Sequence, residues 1–186
     1  MDKTDQKAGM DKKILPDLNP EELIVNKVAQ SGLITIDLEE LYMPGERVLF
    51  DMKHWLFEEL ILKEKDFREQ VKNHNWQQYQ NKLMALSCTV DAIVPTWAFM
   101  LIASKLELFA KKIVFGTLEK LEEEIFTEQI SKINPEDYRD QRVVVKGCSK
   151  VDVPVSAYVG ITNLLRPVVK SIMYGEACST VPIYKK

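Results

Sequence analysis

A chain of 186 residues with an apolar fraction of 46% has the length of one domain and enough side chains to fill its core. Its 25 basic and 28 acidic residues leave a net charge of −3 with no dominant basic block, which argues against nucleic acid as a partner. The longest nearly continuous apolar stretch, residues 92–103, contains Pro95 and Thr96 and falls well short of the ~20 residues that span a bilayer, so no membrane partner is expected.

The opening MDKTDQKAGMDKK has charges but no apolar segment behind it, which is not the pattern of a secretory signal and points to the cytoplasm. There the thiols of Cys88, Cys148 and Cys178 stay reduced, and an odd number of cysteines argues further against a disulfide framework. Residues 1–18 are polar and without periodicity, and are expected to be a disordered leader to one α/β domain over residues 19–186.

Asn19, Pro20 and two glutamates make a helix start: the asparagine caps, the proline needs no hydrogen bond at the first position, and the acids meet the dipole. Leu23, Ile24 and Val28 form the apolar side of that helix, and Gly32 stops it. Residues 33–38 and 47–52 are short β-like runs, with Pro44 and Gly45 between them as the turn of a candidate hairpin. Residues 54–72 read as helical, first apolar and then charged around Phe67 and Val71. NHNWQQYQN reads as a loop.

From residue 82 onward short apolar runs alternate with longer helical ones, the pattern of parallel strands joined by crossover helices. KLMALSC, KKIVFG, RVVVKGC and KSIMYG are the expected strands. Helices are expected over about residues 96–110, along the face of Leu118, Leu121, Ile125 and Ile130, and from about Val155 to near Pro167. Glu122, Glu123 and Glu124 belong to the solvated side of the middle one.

Residues 95–116 align without gaps on residues 154–175, an offset of 59, with seven identities in 22 columns. Phe99 against Tyr158 and Phe115 against Tyr174 extend the match. The fold expected is therefore α/β, a mostly parallel sheet with helices on both faces, containing a duplicated βαβ unit at about residues 82–116 and 142–175.

In each copy a strand ends in cysteine and a hydroxyl residue, Cys88 with Thr89 and Cys148 with Ser149, though bringing these together needs small gaps. Cys178, Ser179 and Thr180 repeat the ending a third time. The carboxyl ends of parallel strands and the amino ends of the following helices share one edge, where ligands bind and thiols lose their protons more readily. Three thiolates there, with Asp91, Asp152 or Glu176 as further ligands, suit tetrahedral zinc or an iron–sulfur cluster with one open position. No C-x-x-C is present, and buried cysteine at a strand end is an ordinary packing choice. Cys148 is the candidate nucleophile of a thiol enzyme, because Gly147 allows close backbone approach and Ser149 with the next helix offers donors.

His54 and His74 lie in the amino-terminal half and read as surface or helix residues, Asp51 as a capping or loop carboxylate, and Lys146 as an edge lysine. Nucleotide-binding and zinc-protease motifs are absent, and Trp55, Trp76 and Trp97 read as core or interface aromatics.

IDLEELYMPGERVLFD, FEELILKEKDFRE, CTVDAIVPTWAFM and KSIMYGEACSTVP resemble an uncharacterised bacterial family, a domain of unknown function found chiefly in Bacteroidota, from about residue 22 to the end. The resemblance implies no activity, substrate or catalytic residue. Three readings follow: an accessory protein holding zinc or an iron–sulfur species on Cys88, Cys148 and Cys178; a thiol enzyme using Cys148; and an interaction module or homo-oligomer with inert cysteines.

Overall fold

The computed structural model describes residues 32–147, 150–176 and 178–186. The expected leader, the helix begun at Asn19 and Cys148 lie outside the described residues. In chain order the strands are β1 (Leu33–Asp37), β2 (Arg47–Asp51), β3 (Leu83–Ser87), β4 (Lys112–Phe115), β5 (Arg142–Lys146), β6 (Ser171–Glu176) and β7 (Ser179–Lys185). The helices are α1 (Glu64–Asn73), α2 (Thr96–Leu106), α3 (Leu118–Ser131) and α4 (Val155–Leu165).

The α/β expectation holds, but the strands form two sheets. One has the order β2-β3-β4, all parallel; the other has the order β1-β5-β6-β7, parallel except for β7, which runs antiparallel to β6. The hairpin expected of residues 33–38 and 47–52 is not formed. β1 pairs with β5 and β2 with β3, so the Pro44-Gly45 turn carries the chain from one sheet to the other. Both strands are half-buried and end on a residue, Asp37 or Asp51, whose carboxylate caps a following 3-10 turn; they are two copies of one element.

The 59-residue offset is exact in three dimensions over more than the aligned segment. Helices α2 and α4 begin and end at matching positions, and each buries the same three sites: Ala98, Ile102 and Leu106 in one, Ala157, Ile161 and Leu165 in the other. A 3-10 turn precedes each strand at Trp76–Tyr79 and Pro135–Tyr138, and left-handed Asn81 and Asp140 follow it. β2-α1-β3-α2-β4 is thus one unit, and β1 with α3-β5-α4-β6 is the other. The first is inserted between β1 and the rest of the second.

Helix α3 joins the two. Leu121 and Ile125 pack on Leu83 and Ala85 of the three-stranded sheet, while Phe126 and Ile130 enter the core of the other with Ile36, Val143, Val145 and Ile161. The opposite face of the three-stranded sheet is covered by α1 and α2, with Phe67, Val71 and Ile102 against Phe50, Met84 and Leu86. Helical periodicity correctly gives α2, α3 and α4. It fails over residues 54–63, where Glu58 and Glu59 take positive φ and Phe57 N–H turns back to the carbonyl of Ile61, so α1 begins only at Glu64. β7 contains Pro182, which an edge strand tolerates and which masks its β pattern.

Candidate functional site

Among the described residues the carboxyl ends of the strands, an acidic cleft and a pair of matched grooves carry chemistry or exposed apolar surface of the kind that a site requires.

At the strand ends, Asp37 accepts the Glu39 N–H at 3.0 Å and forms an ion pair with Lys146, its cross-strand partner, at 3.0 Å. Lys146 lies 3.8 Å from Glu176 as well, and its hydrogen bond to Asp37, with the charges of Asp37 and Glu176, raises the lysine above its ordinary 10.5. Asp51, the counterpart of Asp37, accepts from Lys53 N–H at 3.0 Å, Thr89 N–H at 3.1 Å and Thr89 Oγ1 at 2.5 Å. Burial pushes that carboxyl up, but the Thr89 hydroxyl and the two backbone donors outweigh it, and the group ends below its ordinary 3.8.

Both aspartates are therefore occupied in holding their own turn and a neighbouring strand end. The sequence reading of Asp51 as a capping carboxylate is the structure's role for it. Lys146 is a half-buried ion-pair partner rather than a free anion site.

Of the cysteines, Cys88 follows β3 in the three-stranded sheet, packs against the α1–α2 core and directs its Sγ at the Val90 carbonyl, 3.7 Å away. Cys178 is exposed in the turn between β6 and β7 of the other sheet. Both are free thiols. Asp91 is exposed in the β3–α2 loop, Asp152 lines the acidic cleft, and Glu176 faces Lys146. Among the described residues no three of His, Cys, Asp and Glu gather as a metal site. The gap-free offset sets Cys88 opposite Gly147, not opposite Cys148.

His54 is exposed. His74 is half-buried in an aromatic cluster, with ring centroids 4.7 Å from Trp76 and 5.0 Å from Trp55, and its Nε2 lies 3.0 Å from the Tyr79 hydroxyl. Burial lowers its pKa from 6.5.

The acidic cleft, about 760 Å³, is lined by Tyr42, Arg47, Glu119, Glu122, Glu123, Lys150 and Asp152. Arg47 stacks 4.3 Å over Tyr42 and forks onto Glu122 at 2.5 and 3.2 Å, which commits the cleft's one arginine to a carboxylate already present.

The grooves were invisible to motif reasoning, yet the duplication carries them. The first, about 560 Å³, lies between α2 and β4 and is lined by Leu86, Thr96, Phe99, Met100, Ala103, Ile113 and Phe115. The second, about 450 Å³, lies between α4 and β6, and its lining includes Val145, Val155, Tyr158, Val159, Thr162, Ile172 and Tyr174, the same seven positions displaced by 59. Each has an edge-to-face ring pair: Phe99 with Phe115 at 5.2 Å and 81°, Tyr158 with Tyr174 at 5.7 Å and 76°. β7 runs beside the second groove. A bulge leaves Ile183 between the paired residues Pro182 and Tyr184, and Ile183 lines the groove. Met100 is 66% exposed, Phe115 67%, Val155 77% and Val159 54%, an amount of apolar surface that water-facing positions seldom carry together.

No helix among the described residues is long and apolar enough to cross a membrane. No curated protein and no solved structure matches the chain. Residues 22–186 match the model of a protein family of unknown function, DUF2480, and the chain belongs to that family.

Proposed function

We propose that the protein is a cytoplasmic interaction module that binds protein through its apolar grooves, with no catalytic role for its cysteines, of which Cys88 packs against the α1–α2 core. The observation that carries this reading is the repetition of one exposed apolar groove, ring pair included, at seven matching positions of two diverged halves. Most of the seven differ in identity, yet the surface stays apolar. The strand-end aspartates, by contrast, are engaged by their own turns and neighbours, as expected of structural groups.

The rival reading is a metal or iron–sulfur species held by Cys88, Cys148 and Cys178. One experiment separates the two: purify the tagged protein without oxygen from its own cells, measure metal content, and compare wild type with Val159→Glu and with the triple cysteine-to-serine chain. Interaction through the groove predicts a stoichiometric protein partner that is lost at least tenfold with Val159→Glu and retained by the triple variant. Near-stoichiometric metal that disappears when the cysteines are replaced would overturn it.

A further inference from the structure

We propose that the first groove is closed by a second copy of this chain, with β4 pairing antiparallel to the β4 of its partner about a two-fold axis, so that two three-stranded sheets become one of six strands. The inference rests on the interaction reading and names the occupant of one of its two grooves.

The molecule contains the precedent. β4 and β6 are equivalent strands, each following an equivalent helix. β6 has an antiparallel neighbour on its outer side, β7, which extends its sheet and sends Ile183 to the groove. β4 pairs with β3 alone among the described residues, so no described strand covers its other edge, which runs beside a groove lined at the same seven positions. What β7 does for β6 within the chain, a second molecule does for β4.

The sequence of β4 is self-complementary in that arrangement. An axis through Val114 sets Ile113 of each copy opposite Phe115 of the other on the groove face, and Val114 opposite itself on the face that meets α3. Lys112, the strand's only charge, then lies across from Gly116 and not from another lysine. It is also already neutralised by Glu128 at 2.6 Å.

The free edge of β7 is protected in the usual way, by Pro182 and by Lys185 near its end. β4 has no proline, and its lysine is tied to α3. Among the described residues β4 thus has neither the covering strand that β6 has nor the proline that β7 carries. Met100 and Phe115, each about two-thirds exposed, would be covered together by the partner's α2 and β4.

The test is sedimentation equilibrium of the full chain across a concentration series into the micromolar range, with circular dichroism to establish that each variant is folded. Wild type is expected at twice the 21.5 kDa of one chain. Phe115→Glu and Met100→Glu, both at exposed positions, should each weaken association at least tenfold, and Val159→Glu in the second groove should leave it unchanged. In a chain with all three cysteines replaced by serine, Val114→Cys should cross-link two copies on mild oxidation. A wild-type monomer, a dimer that survives both glutamate substitutions, or one dissolved by Val159→Glu would overturn the proposal. A monomer whose protein partner is still lost with Val159→Glu would remove the dimer and leave the interaction reading intact.

Discussion

The hydroxyl of Tyr158 occupies the space that a side chain at position 147 would need: a Cβ built on Gly147 would lie 2.8 Å from it. In the other half the matching pair is Phe99 and Cys88, where a ring without a hydroxyl goes with a residue that has a side chain. Glycine at 147 is therefore explained by packing, and the same exchange leaves room for a side chain at 88.

Gly147→Ala is expected to destabilise the protein by about 1–3 kcal/mol through overpacking. Adding Tyr158→Phe should recover most of that loss. Urea unfolding of the two single variants and the double variant gives the coupling, and strictly additive effects would contradict the proposed clash.

Asp51→Ala removes an acceptor of three hydrogen bonds that tie β2, its 3-10 turn and the end of β3 together, at an expected cost of about 1–3 kcal/mol. The pH dependence follows from the lowered carboxyl. The unfolded chain takes up this proton near 3.8 and the folded one only at lower pH, so the contribution is complete above 3.8 and is lost as pH falls through the folded value. Asp51→Asn should flatten that part of the acid limb in a comparison of denaturation midpoints.

For His74 the direction is the same and the window higher. Burial among Trp55, Trp76 and Phe50 keeps the ring neutral to below 6.5 in the folded protein, whereas the unfolded chain protonates near 6.5. Stability from this site is therefore complete above 6.5 and declines as pH falls below it. The difference in urea midpoint between wild type and His74→Gln should shrink from pH 7.5 to pH 5; a constant difference would rule out His74 as its source.

Ile125→Ala and Phe126→Ala cut neighbouring residues of α3 that serve different sheets, and each should cost about 2–5 kcal/mol. All three tryptophans lie in or against the α1–α2 core of the first half. If α3 couples the halves, Phe126→Ala shifts the tryptophan fluorescence transition as far as the far-ultraviolet circular dichroism. A fluorescence midpoint left in place would mean that the sheets unfold independently.

The elements of regular period were legible in the sequence: α2, α3 and α4, the four strands around them, and a duplication that proves more regular in space than its identities suggest. Sheet assignment was not. Residues 33–38 and 47–52 read as neighbours because local pattern reports strand character and turn chemistry but not the partner, which here lies far along the chain for β1. The cysteine edge shows the same limit. Three sulfur-bearing strand ends look alike in one dimension, while the register divides Cys88 and Cys178 between two sheets. The grooves left no motif because their lining comes from a helix and two or three strands at wide spacing. The pairing of Phe99 with Tyr158 and Phe115 with Tyr174 was the available signal.

The insertion of one unit into the other has a consequence for how the chain is made. β1 leaves the ribosome before its whole sheet, and its Leu33 must wait for Arg142 while everything between is synthesised. β2, β3 and β4 can meanwhile assemble in order, each next to its predecessor. The first of the described strands is thus among the last to find its place, and a nascent chain halted after β4 would carry three paired strands and an orphaned one ready to join the wrong neighbour.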